Sequence, residues 1–237
     1  MTASPMHLAH PGTRQRFKRW MWEWVFLILT NLLYRSEVRG KERLPHEGPV
    51  LLYYNHIHYA DPFVLLTRLK GVRYAVPVGK REILDEPVIG KMADWYGAIF
   101  VSRGEADLVA LHACLVVLDA GHVVVVAPEG TRSKTGGLMQ GQRGLGFLAR
   151  RTHAVMQPVA IWGTPDFPSA NKRGHRALAH VHFGRPYRVE LPATMNRKAS
   201  ESAVTDFAMQ ELAALLPEHL RGVYSPAPST PEWVRYV

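Results

Sequence analysis

Residues 122–130 read HVVVVAPEG, four consecutive valines followed by a Pro and a Gly. Branching at Cβ favours extended backbone, and a run without polar alternation suits a strand covered on both faces, as inside a parallel sheet with helices on each side. GPVLLYYN at 48–55 and VMQPVAIWG at 155–163 repeat the pattern, and VRYAVPVG at 72–79 and GAIFVS at 97–102 are shorter runs of the same kind. Helical spacing fills the intervals: DPFVLLTRLKG at 61–71, EADLVALHACLVVLDAG at 105–121, LGFLARRTHA at 145–154 and RKASESAVTDFAMQELAALLPEHL at 197–220. LAHVHFGRPYRVEL at 178–191 reads as an extended pair with a central Gly. Strands alternating with helices predict an α/β fold with a largely parallel central sheet flanked by helices.

The ends differ from this middle. Residues 1–13 are small and polar with two prolines and read as a disordered leader. Residues 14–39 form an N-terminal segment in which Arg14, Arg16, Lys18 and Arg19 precede an apolar stretch from Trp20 to Tyr34. That stretch is shorter than the roughly 20 residues of a straight bilayer span, and Glu23 interrupts it. Basic flanks and the cluster Trp20, Trp22 and Trp24 predict an interfacial helix lying in the headgroup region, with a helix docked on its own domain as the alternative. The α/β domain then runs over 40–222, and 223–237 is a Pro-containing tail.

An excess of 29 Lys and Arg over 20 Asp and Glu directs the chain toward anionic partners: nucleic acid, a membrane surface or a phosphorylated substrate. The basic residues are scattered, with no aromatic-basic stripe, which disfavours nucleic acid. The single cysteine, Cys114, excludes an intrachain disulfide, and its place among Leu108, Leu111, Leu115 and Leu118 predicts a buried core residue.

Polar clusters fall where strands end: NHIHYAD at 55–61, SRG at 102–104 and PEGTRS at 128–133. In open α/β sheets, sites gather at the carboxyl ends of strands, so these clusters should converge. NHIHYAD admits three readings. His56 and His58 could ligate a metal together with a carboxylate, although no further histidine has a recognisable spacing. His56 could act as a general base whose tautomer Asp61 fixes. His56 could also be a satisfied strand-end histidine, with Asp61 before Pro62 a plain helix N-cap. No Gly-x-Ser-x-Gly elbow supports a nucleophilic serine.

Four blocks in order resemble the glycerolipid acyltransferases, most of all the bacterial 1-acyl-sn-glycerol-3-phosphate acyltransferases. They are Asn-His-x-x-x-x-Asp at Asn55, His56 and Asp61, GAIFVSR at 97–103, PEGTRS at 128–133 and VMQPVAIWG at 155–163. VGKREILDEPVIG at 78–90 is similar to a Lys-containing segment before the second block, and the likeness spans about Gly40 to Leu191. The resemblance implies that His56 is the catalytic base and Asp61 its partner. It implies that Asn55, Lys80, Gly97, Arg103, Glu129, Gly130, Thr131 and Arg132 bind substrate, with Glu129 orienting an arginine or a hydroxyl, or forming an ion pair.

By the same resemblance the donor is acyl-CoA or acyl carrier protein, the acceptor a lysophospholipid, and neither cofactor nor metal takes part. The expected location is the cytoplasmic face of the cell membrane, held peripherally or monotopically. Acyl transfer to an ornithine lipid or glycolipid, a phospholipid transacylase and a non-catalytic lipid-binding protein are the alternatives. The chain departs from the family pattern at His58, where Ser is frequent, and at Gly141 and Gln142, where a Phe-Lys pair is frequent, leaving Arg143 to supply the charge.

Overall fold

The computed structural model describes residues 5–102 and 107–237. Its strands are β1 (Tyr34–Arg39), β2 (Val50–Tyr54), β3 (Ala75–Lys80), β4 (Ile99–Val101), β5 (Val123–Val126), β6 (Val155–Trp162), β7 (Ala177–Phe183), β8 (Tyr187–Val189) and β9 (Val234–Tyr236). Its helices are α1 (Pro5–Ala9), α2 (Thr13–Leu33), α3 (Asp61–Leu69), α4 (Ile89–Tyr96), α5 (Leu108–Asp119), α6 (Gly144–Arg151), α7 (Phe167–Lys172) and α8 (Arg197–Leu215).

Among the described residues the strands form one sheet in the order β1-β7-β6-β2-β5-β3-β4. Strands β2 to β6 are mutually parallel, with Tyr53 opposite Val126 on β5 and Pro158 on β6. β7 runs antiparallel to β6 and parallel to β1. The expected fold class therefore holds for the sheet, with an antiparallel edge added. The extended pair at 178–191 is not a hairpin: β7 and β8 both lie along β6, as consecutive halves of one bent partner.

The all-apolar strands are buried on both faces. Leu51, Tyr53, Val124 and Met156 face one core with α5, α6 and α8, while Val50, Leu52, Val123 and Val125 face the other with α2 and α3. Burying each such side chain contributes about 1.5–3 kcal/mol relative to exposure, so these runs can only be central. Helices α6 and α8 approach so closely that a Cβ on Gly146 would stand 1.9 Å from the Glu201 carbonyl oxygen. Cys114 is buried and burial pushes its thiol up to about 12.

The termini differ from the sequence expectation. Within the expected disordered leader, α1 is ordered and buries Leu8 and Ala9 beside α5. The expected N-terminal helical segment 14–39 breaks at Tyr34, because YRSEVR, with Tyr34 and Val38 turned inward, pairs with β7 as an edge strand. In the tail, β9 pairs with β8 and buries Val234.

Helix α2 packs against α3 and α4. Arg19, expected as a basic flank, is buried instead: its Nη2 donates to the Ala75 carbonyl oxygen (2.6 Å) and the Tyr96 hydroxyl (3.1 Å), and its Nε pairs with Glu23 (3.0 Å). The guanidinium also lies 4.1 and 4.2 Å from the ring centroids of Tyr74 and Tyr96. The inner face of α2 buries Phe26 and Thr30, while Phe17, Trp20, Trp24, Ile28 and Leu32 form an exposed stripe along one side. Among the described residues no helix is long and apolar enough to cross a membrane.

Candidate active site

β2, β3, β5 and β6 end on one edge of the sheet, and the segments that follow them meet there. After β2 the chain continues through Asn55 into the turn carrying His56. Asn55 is buried, and its side chain pairs twice with the backbone of Ile161 on β6, donating to the oxygen and accepting from the nitrogen, both at 2.7 Å. It extends the β2–β6 ladder by one residue and fixes where His56 emerges. Expected as a substrate contact, Asn55 has a structural use here, since its amide oxygen and nitrogen each bond to backbone.

Asp61 opens α3 but does not cap it. Ala60 holds the N-cap position, no side chain caps the helix, and Pro62 occupies the first turn, where a missing N–H costs nothing. The carboxylate turns backward instead. Its Oδ2 faces His56 Nδ1 at 2.9 Å and accepts from the backbone N–H groups of Ile57 (2.7 Å) and His58 (2.6 Å). Its Oδ1 accepts from the Thr164 hydroxyl at 2.5 Å. Asp61 is 0% exposed, whereas the His56 side chain keeps 21% of its surface. Four donors surround this one buried carboxylate, and an oxygen that also accepts from two backbone N–H groups takes a hydrogen bond from Nδ1, which assigns the ring proton to that nitrogen. Nε2 of His56 is then the ring nitrogen with a lone pair for accepting a proton.

The loop after β5 lies against this turn. Glu129, 2% exposed, bridges two backbone amides: Oε1 accepts from His56 N at 2.9 Å and Oε2 from Met139 N at 2.8 Å. Burial raises its pKa despite those two bonds. The expected role of Glu129, orienting an arginine or a hydroxyl or joining an ion pair, stands beside a second one that the sequence did not suggest, since each of its oxygens accepts a backbone N–H. Ser133 N donates to the His56 carbonyl at 2.7 Å, so the loop is fastened to residue 56 at two points. Gly130 adopts φ +66°, a region costly for a residue with a Cβ, and it is exposed.

Cationic groups follow. Lys80, the last residue of β3, donates from Nζ to Thr131 Oγ1 at 2.7 Å. The Arg132 guanidinium lies 3.6 Å from the ring centroid of Tyr59, a residue of the His56 turn itself. Burial, Arg132 and His56 lower the pKa of His58 against the opposing pull of Asp61. Its imidazole is therefore neutral at pH 7.

Of the residues singled out in the sequence, His56, Asp61, Lys80, Gly130, Thr131 and Arg132 thus share one edge of the sheet. Gly97 does not join them. It ends α4 at φ +88° ahead of β4, at the opposite end of the sheet, where a Cβ would meet Gln15 and Leu8. Its place as a substrate contact is corrected to a helix stop. Arg103 lies outside the described residues. Thr164 and Tyr59 were not singled out in the sequence, although Thr164 immediately follows the fourth block. Gly141 has a steric reason to replace a larger side chain, since a Cβ there would fall 2.7 Å from Thr205 and 2.8 Å from Met209 on α8.

Comparisons with known proteins agree with this architecture. The chain is 26% identical over 177 residues to a chloroplastic 1-acyl-sn-glycerol-3-phosphate acyltransferase of Brassica napus, covering 73% of this chain and 51% of that protein. It is 31% identical over 155 residues to the human 1-acyl-sn-glycerol-3-phosphate acyltransferase alpha, covering 62% and 54%. It is 27% identical over 153 residues to the 1-acyl-sn-glycerol-3-phosphate acyltransferase of Borreliella burgdorferi, covering 61% and 59%. The chain thus spans about half the length of the first two of these relatives. The crystal structure of the Thermotoga maritima 1-acyl-sn-glycerophosphate acyltransferase PlsC shares the fold at a TM-score of 0.60 and 17% identity, over 85% of this chain and 83% of that one. The Acyltransferase family model matches residues 35–162, more than half of the 237, and that span contains the His56–Asp61 pair and the loop fastened to it: the chain belongs to the acyltransferase family.

Proposed function

We propose that the protein transfers a fatty acyl group from a thioester donor, acyl-CoA or acyl carrier protein, to the free hydroxyl of lysophosphatidic acid, giving phosphatidic acid. The observation that carries this reading is His56 Nδ1 held 2.9 Å from a fully buried carboxylate with Nε2 left to accept a proton. His56 takes the proton of the acceptor hydroxyl as its oxygen attacks the thioester carbonyl. A C–O bond forms, the C–S bond breaks, and the sulfur leaves as a thiolate that takes up a proton. A thiol with a pKa near ~8.5 is a good leaving group, so the transfer needs neither a metal nor an acyl-enzyme. Asp61 fixes the tautomer and stabilises the imidazolium that forms.

Arg132, Lys80 and Thr131 supply donors for the acceptor's phosphate, with Arg132 presented by the face of Tyr59. Arg103, just beyond Ser102 in the second block, belongs to the acceptor site in the same reading. The exposed stripe on α2, with Lys18 and Lys70 lying 4.7 and 4.1 Å from the rings of Trp95 and Trp24, supports seating at the cytoplasmic membrane surface, where the lipid acceptor resides.

The direct test replaces His56 with Ala and follows thiol release from acyl-CoA with lysophosphatidic acid as acceptor. Turnover is expected to fall by about 10²–10⁴-fold, the range for losing a general base, with acceptor binding retained. Turnover within tenfold of the unsubstituted protein would remove the base role.

A further inference from the structure

On one face of the edge strands β1 and β7 sits a second cluster. The parallel register sets Glu37 opposite His180 and Arg39 opposite His182, and the two-residue period puts His180 and His182 on one face of the sheet. Among the described residues Glu37, His180 and His182 form the one group of three such side chains whose candidate ligand atoms all lie within 4.8 Å of one another. We propose that Glu37, His180 and His182 bind one divalent transition-metal ion of the zinc class.

Three features support a site over a chance grouping. First, His182 Nε2 is buried and has no hydrogen-bond partner, an uncompensated polar atom that a metal ion would satisfy. Second, the ligands stand on two hydrogen-bonded strands backed by Trp162, whose ring stacks on His180 (centroids 4.6 Å, 10°) and meets His182 edge-on (4.5 Å, 77°). Third, His180 Nδ1 is already 3.4 Å from a Glu37 oxygen, close to the ligand–ligand spacing of a tetrahedral centre.

Two imidazoles and one carboxylate leave a coordination position for water and favour zinc over calcium or magnesium, which prefer oxygen donors. Arg39 now pairs with Glu37, but its side chain is 68% exposed and can turn into solvent. The ion would fasten β1 to β7 behind Trp162, the residue two before Thr164, and so brace the segment that holds Asp61.

The whole chain, stripped with chelator and dialysed, should be titrated with Zn²⁺ by calorimetry and with Co²⁺ by visible absorption. The expected result is one Zn²⁺ per chain, tetrahedral Co²⁺ bands, and a zinc-dependent rise in Tm. His182→Ala and Glu37→Gln should each weaken binding by at least about tenfold and abolish the rise, whereas His58→Ala should bind as the unsubstituted chain does. Glu37→Gln, a near-isosteric change on an edge strand, gives the answer if His182→Ala does not fold. The absence of saturable zinc binding, equal affinity in Glu37→Gln, or loss of the ion in His58→Ala would each overturn the assignment.

Discussion

Replacing Asp61 by Asn separates the charge of this side chain from its shape. Three donors converge on Oδ2, so the amide NH2 cannot sit there and the Asn carbonyl must take that position. The NH2 then faces Thr164 Oγ1, whose hydroxyl turns to accept and loses the acceptor it has now. Leaving that buried hydroxyl proton unsatisfied costs about 1–3 kcal/mol of stability, a Tm loss of about 2–4 °C per kcal/mol for a chain of this size. His56 keeps its tautomer, because Nδ1–H still finds a carbonyl oxygen. What disappears is the attraction between carboxylate and imidazolium. At about 4 Å between charge centres and an effective dielectric constant near 20 it is worth about 4 kcal/mol, or about a thousandfold in kcat. Thiol release from acyl-CoA reports this cleanly, since the chain's own cysteine is buried and its thiol held up to about 12. Thr164→Val, which keeps the carboxylate and removes one donor, should lose far less, about tenfold. A folded Asp61→Asn protein with more than about a tenth of the original kcat would refute the electrostatic reasoning.

Arg132→Ala should raise KM for a phosphate-bearing acceptor by about 10–100-fold, the equivalent of one charge-assisted hydrogen bond of about 1.5–3 kcal/mol, with a smaller effect on kcat; an unchanged KM would separate this guanidinium from phosphate recognition. Trp20→Ser, Trp24→Ser and Ile28→Ser combined leave the buried face of α2 untouched. They should lower co-sedimentation with anionic liposomes more than a hundredfold if each side chain contributes about 1.5–3 kcal/mol in lipid, and equal co-sedimentation would refute seating through this stripe.

How far the sequence could be read depended on how local each cause was. The runs VLLYY, VVVV and VMQPVAIW announce central strands because burial on both faces removes the polar alternation, with Gln157 the one polar residue among them, and these strands fix the sheet's direction and the edge where its site lies. YRSEVR escaped notice because an edge strand with one wet face reads as ordinary polar chain. The approach of His56 to Asp61 was legible because five residues and a Pro-led helix start confine it. The fourth donor to Asp61 comes from Thr164, 103 residues away, and no local pattern encodes that meeting. Asn55 and Glu129 stand in motif positions that suggest contact with a ligand, yet each spends its polar atoms on backbone amides or carbonyls; residue type alone does not distinguish these uses. Gly97 was misplaced for a related reason: a glycine that stops a helix and one that admits a ligand look the same as letters.

Glu129 has a mechanical consequence. By tying His56 N to Met139 N, and with Ser133 N on the His56 carbonyl, it makes the imidazole and the cationic loop one stiff body. Under the proposed function, the span from His56 Nε2 to the Arg132 guanidinium is then set when the chain folds, and the pair would work as a caliper. Molecules whose alcohol and phosphate are separated by the wrong number of bonds would fit one jaw at a time.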